Sequence, residues 1–354
     1  MKKSLIVIVV VPLCIVLALW ARAFGLRRKY DSRPWPANLG TLETAPSHFI
    51  DAQPNAAGVQ LTSMMALLNG DLAALNEYVK TELERRDVDI GAPPPQLARY
   101  LREHGAQLDF IRDHILAAGA ISTADFRPHV ELTNLFIARG FMNGAWDDLH
   151  AVWVLDRQLW QRRRGVATAL LSTRMLNAAA AKMPLPVPSW LEDLRSFDYE
   201  QRVAAMYQAD ALDLRQTVDE SLAEHRFLSL IDGWQAVAAD ADLAEQLRVR
   251  TGELLAAKGC DFASDPLQRK PMAVAPRNAF GALGALMFTG WDRVTRFRAE
   301  REATGKILAL RRGETPSAKS ACTDGEWLVS AGGVKFSRDI AVPHGIRFPL
   351  AYDR

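Results

Sequence analysis

Residues 1–23, MKKSLIVIVVVPLCIVLALWARA, place two lysines before an apolar run, and this stretch decides how the rest of the chain must be arranged. From Leu5 to Ala21, seventeen consecutive residues carry no charge. A helix needs about 20 apolar residues to cross a bilayer, and about 17 suffice at the short end of the range. Trp20 lies at the end of the run, where interfacial aromatic residues are found. The sequence therefore predicts an N-terminal membrane segment that contacts lipid through residues 5–21.

A cleavable signal peptide is the alternative interpretation of this stretch, because Ala21-Arg22-Ala23 has the small-x-small form of a cleavage site. Lys2 and Lys3 favour a cytoplasmic N-terminus, whereas four cations beyond the run favour the reverse orientation: Arg22, Arg27, Arg28 and Lys29. A short N-terminus of this kind normally stays inside. We therefore expect a single-pass inner-membrane protein with an extracytoplasmic, periplasmic body, or an exported protein if cleavage occurs near Ala23.

The composition of the chain predicts an ordinary globular body after the N-terminal segment. The chain has 354 residues, of which 49% are apolar and 24% charged, and these proportions are typical of soluble domains. The net charge of +2 comes from interleaved basic and acidic residues, which gives no general attraction to nucleic acid. We expect a protein partner and no nucleic-acid partner.

The cysteines and histidines do not form a metal-binding pattern. Cys260 and Cys322 are the cysteines beyond the membrane segment, and in an oxidising compartment they could form a disulfide, with two separate buried thiols as the alternative. No paired Cys or Cys/His spacing suits zinc. Asp147-x-x-His150 has the carboxylate-x-x-His step of di-iron bundles, but the sequence lacks the second such step. The sequence predicts no metal and no cofactor.

Turn and helix signals divide the chain into segments. Glu326–Ser330 and Val334–Ser337 flank Ala331-Gly332-Gly333, which predicts a β-hairpin. The remaining pattern is mainly helical, so we predict a mainly α fold of antiparallel helix pairs, solenoid-like, after an N-terminal membrane segment and before a β-hairpin tail. The predicted segments are a membrane or signal segment (1–23), a stalk with four prolines (24–54), a helical body (55–260), a loop (261–277), a closing helix (278–312) and a β-containing tail (313–354).

Three short motifs resemble a loose group of exported bacterial α-helical proteins. They are Asn55-Ala56-Ala57, the run Gly144-Ala145-Trp146-Asp147-Asp148-Leu149 before a long helix, and Asn278-Ala279-Phe280-Gly281 before the closing helix. The resemblance spans residues 55–312 and implies an exported helical body. The group carries no assigned activity, so the resemblance brings no catalytic residues, and the tail after Glu314 departs from it.

The most distinctive surface pattern lies in residues 146–164. Three tryptophans recur every seven residues. A histidine and an arginine lie between them and a second arginine follows the last one, at steps of three and four residues. Such steps keep side chains on one face of a helix, and the six residues are Trp146, His150, Trp153, Arg157, Trp160 and Arg164. They predict either a binding ledge, with indoles stacking on a ligand and cations holding an anion, or tryptophans packed into a neighbouring helix with arginines along their edges.

Two acidic clusters are candidates for acid–base chemistry. Asp109, Asp113 and His114 lie within about one helical turn, as do four residues farther along: Asp219, Glu220, Glu224 and His225. Buried in a cleft they could support hydrolysis, but on amphipathic helices such groups are usually solvated. The sequence also lacks a Gly-x-Ser-x-Gly, a His-Glu-x-x-His and a Gly-x-Gly-x-x-Gly motif. We therefore favour a membrane-tethered envelope scaffold or interaction protein over its alternative, an envelope hydrolase acting on cell-wall or glycan substrates.

Overall fold

A computed structural model describes residues 2–50, 55–66, 73–117, 127–224, 226–261, 291–341 and 346–354. The helices in these ranges are α1 (Lys2–Asp31), α2 (Ala56–Ala66), α3 (Ala73–Glu84), α4 (Pro95–Glu103), α5 (Gly105–Ala117), α6 (Arg127–Asn143), α7 (Trp146–Leu159), α8 (Val166–Ala180), α9 (Trp190–Ser196), α10 (Tyr199–Glu224), α11 (Arg226–Ala256) and α12 (Trp291–Arg311). Strands β1 (Trp327–Ser330), β2 (Gly333–Phe336) and β3 (Ala351–Asp353) form an antiparallel sheet in the order β1-β2-β3. The predicted fold class is confirmed.

The chain divides into two compact units. The anchor unit is described over residues 2–49, 200–224 and 226–257, and the main unit over the described parts of 50–199, 258–265 and 290–354. The predicted loop 261–277, apart from Asp261, lies outside the described residues. So does the predicted closing helix before Trp291, whose described remainder is α12.

Helix α1 is long and apolar at its N-terminal end. Its 30 residues span about 45 Å at 1.5 Å per residue. Among the described helices, α1 from Val10 to Asp31 has the length and hydropathy to cross a membrane or to act as a signal sequence. Apolar side chains between Val10 and Leu17 are largely exposed. Such exposure is what a helix surrounded by lipid requires.

Residues 24–50 differ from the predicted extended stalk, whose last residues, 51–54, lie outside the described part of the chain. Helix α1 continues without interruption to Asp31, and a 3₁₀ helix follows at Leu42–His48. Trp35, Leu39 and Leu42 are buried in a cluster with alanines and leucines of α10 and α11. The four prolines indicated an extended chain, but the apolar residues between them can be buried, and burial of that surface folds the segment onto the helices.

Buried charges fasten the C-terminal end of α1 to α10 and α11. The guanidinium group of Arg215 on α10 donates to the carboxylates of Asp31 on α1 and Asp240 on α11. Arg27 of α1 pairs with Asp219 at 2.7 Å and lies 3.7 Å from Asp240. Burial raises the pKa of the Asp240 carboxyl, although Arg215 and Arg27 oppose that shift. Charges from three helices therefore neutralise one another inside the anchor unit.

The main unit begins with a capped helix and turns sharply between α6 and α7. The Oδ1 atom of Asn55 accepts the Gly58 N–H at 2.8 Å, which satisfies one free donor at the start of α2. Gly144, between α6 and α7, has a φ of +66°. Only glycine adopts that backbone angle readily, so the Asn143-Gly144 turn directs α7 back along α6.

A second group of buried charges holds α8 against α12. Glu300 accepts from Arg174 Nε at 2.8 Å and from Arg296 Nε at 2.9 Å, and all three side chains are buried. The other two nitrogens of Arg296 donate to the carbonyl oxygens of Ile340 at 2.6 Å and Phe348 at 2.9 Å. One guanidinium group thus connects α12 to both ends of the segment between β2 and β3.

The C-terminal sheet packs on α12. A disulfide joins the segment before the sheet to the residues that follow α11. The predicted hairpin is present, but Gly333 belongs to β2 and pairs with Ser330, so the turn is one residue shorter than predicted. Strand β3 was not predicted. Trp327, Phe336 and Tyr352 are buried in the same cluster as Cys260 and Cys322. These two cysteines form a disulfide with a Cα–Cα distance of 5.3 Å across a separation of 62 residues.

We predict that Asp240→Ala destabilises the anchor unit strongly. Removal of one partner from a buried ion pair costs roughly 3–5 kcal/mol, because the remaining charge stays buried. Amide hydrogen exchange in α11 should accelerate about a hundredfold or more, since each 1.4 kcal/mol is a factor of ten. The matched control is Asp242→Ala, since Asp242 is exposed two residues away on the same helix. Equal exchange rates in the two variants would contradict the role of the ion-pair cluster.

Candidate binding cleft around Lys182

The structure does not bring the six residues of the predicted ledge together on one exposed face. Trp153 and Trp160 are buried, at 2% and 0% exposure. Trp153 packs edge-on against Phe197 at a ring distance of 6.0 Å, and Trp160 packs against Tyr199 at 5.1 Å. For these two tryptophans the packing alternative describes the structure, because Trp153 on α7 and Trp160 just after it both pack against the aromatic residues at the junction of α9 and α10.

Helix α7 also ends earlier than the predicted helix 146–164. Its last residue is Leu159, and a short 3₁₀ turn at Arg163–Gly165 precedes α8. Arg157 is exposed on α7, and Arg164 is exposed on the 3₁₀ turn. The two arginines therefore do not lie along the edges of a common aromatic surface.

The N-terminal end of α7 retains a half-buried aromatic surface. The imidazole of His150 stacks on the indole of Trp190 at 5.2 Å, and Trp146 meets the same indole edge-on at 5.9 Å. Partial burial lowers the pKa of His150, although Asp147 and Asp193 oppose that shift. The indole N–H of Trp146 donates to the carbonyl oxygen of Pro184 at 2.8 Å. This contact joins the aromatic surface to the segment after α8.

The predicted acidic clusters do not form a pair of converging carboxylates. Asp109 and Asp113 are largely exposed, and both are paired with Arg112. In the second cluster Asp219 pairs with Arg27. Glu220 and Glu224 are exposed, and His225 lies outside the described residues. Within the described part of the chain, the acids of both clusters are therefore solvated or neutralised by arginine.

A buried Asp156–His129 pair has catalytic residue types in an arrangement that does not suit nucleophilic catalysis. Asp156 lies 2.7 Å from His129 Nε2 and accepts from Thr173 at 3.0 Å and from Ser172. Burial raises the pKa of Asp156, and these partners oppose the shift. The aspartate lies between the serine and the histidine, so the imidazole is not placed to accept the serine proton, as a nucleophilic triad requires. The network connects α6, α7 and α8.

The strongest candidate for a binding site is an open cleft of about 630 Å³ in the main unit. Its walls come from the loop after α3, the end of α6 and the α6–α7 turn, the segment after α8, the end of α12 and residue 354. They are lined by Val88, Asp89, Ile90, Phe141, Gly144, Lys182, Pro184, Leu185, Arg311 and Arg354. Pro184 also accepts the hydrogen bond from Trp146, so the aromatic surface and the cleft are continuous.

The loop at the base of the cleft is fixed by α3. The carboxylate of Glu82 accepts the Gly91 N–H at 2.9 Å and the Arg85 guanidinium at 3.0 Å. The hydroxyl of Tyr78 donates to the Gly91 carbonyl oxygen at 2.9 Å. Burial raises the pKa of Tyr78 to about 12, so the hydroxyl remains a donor at neutral pH. The loop that carries Val88 and Ile90 is therefore held at both ends.

Lys182 supplies a buried ammonium group to the cleft wall. Its Nζ donates to the carbonyl oxygen of Arg85 at 3.1 Å and to that of Asp87. The side chain is almost completely buried, and burial lowers its pKa from 10.5 to about 8, against an opposing effect of Glu82. The ammonium form therefore dominates at neutral pH but lacks a carboxylate partner within ion-pair distance in the described chain. A desolvated, perturbed lysine in a cleft is a recognised indicator of a functional site.

Two arginines add positive charge to the cleft. Arg311 donates to the carbonyl oxygen of Ala181 at 2.7 Å, and burial lowers its pKa. The backbone N–H of Arg354 donates to Gly332 at 2.7 Å, which positions that residue at the rim. Among the lining residues, Asp89 is the one acidic side chain. The cleft therefore combines three cations, one acid and apolar walls, and it suits a carboxylate attached to an apolar group.

None of the cleft cations was selected from the sequence. One local signal was present: Lys182 follows four alanines, 178–181, and precedes the prolines at 184, 186 and 188. A lysine at the end of an apolar helix, just before a break, has few exposed neighbours and is a candidate for burial. Arg311 and Arg354 gave no such signal, because they lie more than a hundred residues away from Lys182 in the sequence.

Comparison of the chain with family models, with curated proteins and with solved structures gives no match. The predicted resemblance to exported helical proteins stays a prediction.

We predict that Lys182 titrates near pH 8 in the folded protein. In protein carrying ¹³C-labelled lysine, the signal absent from the Lys182→Arg variant should shift with a midpoint of about 8 instead of 10.5. Between these values the unfolded chain binds more protons than the folded chain, so the wild type should gain stability relative to Lys182→Met as pH rises from 8 to 10.5. A midpoint near 10.5 would show that the ammonium is solvated.

Proposed function

We propose that the protein is a membrane-tethered binding protein of the bacterial envelope. Helix α1 remains attached as a single-pass anchor, the body lies on the periplasmic side, and the cleft around Lys182 holds an acidic segment of a partner protein. The observation that carries this proposal is the continuity of α1, whose apolar residues lead without a break into a segment fixed by buried ion pairs.

Retention of the anchor is supported by the surroundings of the alternative cleavage site. Ala23 is 1% exposed and lies in the middle of a continuous helix. Proteolysis favours exposed, irregular segments, and the peptide bond after Ala23 has neither property in the folded chain. Four residues later, Arg27 already belongs to the ion-pair cluster of the anchor unit.

The proposed orientation is supported by the charges that flank the anchor. Arg27 is paired with Asp219 and approaches Asp240, so it contributes less free positive charge on the body side than the sequence suggests. The pairing weakens the argument for a cytoplasmic body. The disulfide between Cys260 and Cys322 points the same way, because structural disulfides persist in oxidising compartments.

The proposal of binding by contact is supported by the form of the cleft. It is open to solvent, whereas sites for small substrates enclose most of the ligand surface. An extended acidic segment could place a carboxylate near Lys182 and Arg311 and an apolar side chain against Phe141. The aromatic surface at Trp146 extends the available area. The hydrolase alternative has less support, because Asp109, Asp113 and Asp219 are paired with arginine.

The anchor is tested by the fate of residues 1–22 in cells. We expect peptide mapping to recover them from protein that stays in the membrane after carbonate extraction, and a reporter fused after Arg354 to be active only outside the cytoplasm. A mature N-terminus at Phe24 in the soluble periplasm would overturn the anchor. An active cytoplasmic reporter would overturn the orientation.

The cleft is tested with N-acetylphenylalanine, which joins a carboxylate to an aromatic ring. Its carboxylate should raise the pKa of Lys182, observed through the ¹³C-lysine signal, whereas the corresponding amide should bind about tenfold more weakly. The variant Arg354→Glu should weaken binding of the acid. The matched control is Arg102→Glu, which reverses an exposed charge on α4, outside the cleft.

The same variants connect the cleft to a physiological partner. Co-purification from gently solubilised membranes should yield a stoichiometric protein with wild type and Arg102→Glu and lose it with Arg354→Glu. Equal binding of acid and amide, or equal recovery of the partner by both variants, would contradict the proposed role of the cleft.

A further inference from the structure

A second cavity lies in the main unit, beside the C-terminal sheet. It has a volume of about 320 Å³ and is more enclosed than the cleft around Lys182, with which it shares no lining residue. Sites for small ligands measure about 300–1,000 Å³, so this cavity is large enough for a compact ligand. Its walls come from the end of α3, the first half of α12, strand β2 with the residues after it, and the residues that lead into β3.

The walls of this cavity are held in place by hydrogen bonds within the protein. The guanidinium group of Arg296 donates to the carbonyl oxygens of Ile340 at 2.6 Å and Phe348 at 2.9 Å. The backbone N–H of Arg347 donates to the carboxylate of Glu84 at 3.0 Å, which joins the segment before β3 to the end of α3. A site that is already formed loses less conformational entropy when a ligand binds.

Five cations of the described chain line the cavity, and they fall into two groups. Arg296 is buried and pairs with Glu300 at 2.9 Å, and Arg338 pairs with Asp324 at 2.6 Å. The other three are exposed and have no ion-pair partner among the described residues: Arg86, Lys335 and Arg347. These three cations are therefore available to a ligand.

The acids at the cavity do not neutralise the three exposed cations by direct contact. Glu84 and Asp339 are the acidic side chains among the lining residues. The carboxylate of Glu84 accepts the backbone N–H of Arg347, and no ion pair in the described chain joins either acid to an exposed cation of the cavity. Apolar side chains, among them Phe348 and Leu350, complete the lining.

A phosphate group matches this arrangement better than a carboxylate does. It carries a charge of about −1.5 to −2 at pH 7 and three acceptor oxygens, so it can contact several cations at once. The planar fork of an arginine guanidinium also matches phosphate oxygens in bidentate hydrogen bonds. A carboxylate has a single charge and two oxygens, which leaves part of the positive charge uncompensated.

We propose that this cavity binds a phosphate-type anion through Arg86, Lys335 and Arg347. Inorganic phosphate and a phosphomonoester share the chemistry that these cations recognise. In a phosphomonoester the organic group lies against Phe348 and Leu350, which line the same cavity. The site goes beyond the proposed function, because it uses neither the cleft around Lys182 nor α1.

The site is tested by calorimetric titration of the full chain, in detergent micelles, with phenyl phosphate and with inorganic phosphate. The substitutions Arg86→Gln and Lys335→Gln each remove one exposed cation, and we expect each to weaken binding about tenfold. The matched controls are Arg102→Gln on α4 and Lys319→Gln before β1. They remove exposed cations outside the cavity and should bind phosphate as the wild type does.

The two ligands distinguish the two sources of the anion. Tighter binding of phenyl phosphate than of inorganic phosphate supports a site for a phosphomonoester, and equal or weaker binding supports a site for the free ion. Absence of binding, or equal affinities of the wild type, Arg86→Gln and Lys335→Gln, overturns the proposal. Loss of binding in Arg354→Glu alone also overturns it, because that result places the anion in the cleft around Lys182.

Discussion

The anchor unit depends on the pairing of Arg215 with Asp31 and Asp240. These groups lie on three different helices, and neither the guanidinium nor the Asp240 carboxylate is accessible to solvent. A buried charge without its partner costs several kcal/mol, and loss of Arg215 would leave the carboxylates of Asp31 and Asp240 without the guanidinium group that they share. The helix that begins with the apolar N-terminus therefore also supplies a charged group to the interior of the anchor unit.

The main unit also contains buried cations, and they differ in whether a carboxylate neutralises them. Glu300 lies between Arg174 and Arg296, and the spare donors of Arg296 hold two carbonyl groups of the C-terminal segment. The ammonium group of Lys182 instead donates to two carbonyl groups, and its charge has no anionic partner in the described chain. The contrast separates the two kinds of buried cation. Arg174 and Arg296 are neutralised by Glu300 and stabilise the fold, whereas Lys182 remains positively charged at the edge of an open cleft.

Local rules predicted the elements of this structure well. The β-hairpin forms where it was predicted, although with a turn one residue shorter, and the apolar run forms α1. Each of these features depends on neighbours in sequence. The stalk prediction fails for residues 24–50 because the apolar residues between the prolines are buried. Trp35 and Leu39 pack against α10 and α11, which lie far along the chain.

The candidate site depends even more on contacts between residues that are distant in sequence, which local sequence rules do not predict. The spacing of Trp153 and Trp160 specified one face of α7 but not what would cover it, and the cover comes from Phe197 and Tyr199. The cleft cations could not be grouped in advance, since Lys182, Arg311 and Arg354 meet only through tertiary packing. Periodicity identifies a face, and only the three-dimensional arrangement of the neighbouring helices determines whether that face is interior or surface.

The unbroken course of α1 has a mechanical consequence. From Leu13 to Asp31 the helix contains no proline, so it behaves as a short rod whose outer end is clamped. A spanning helix adjusts its inclination when the hydrocarbon layer becomes thicker or thinner, and a clamped rod cannot incline without turning whatever holds it. In the proposed membrane-spanning arrangement, a change in bilayer thickness would therefore rotate the anchor unit, without any ligand being involved.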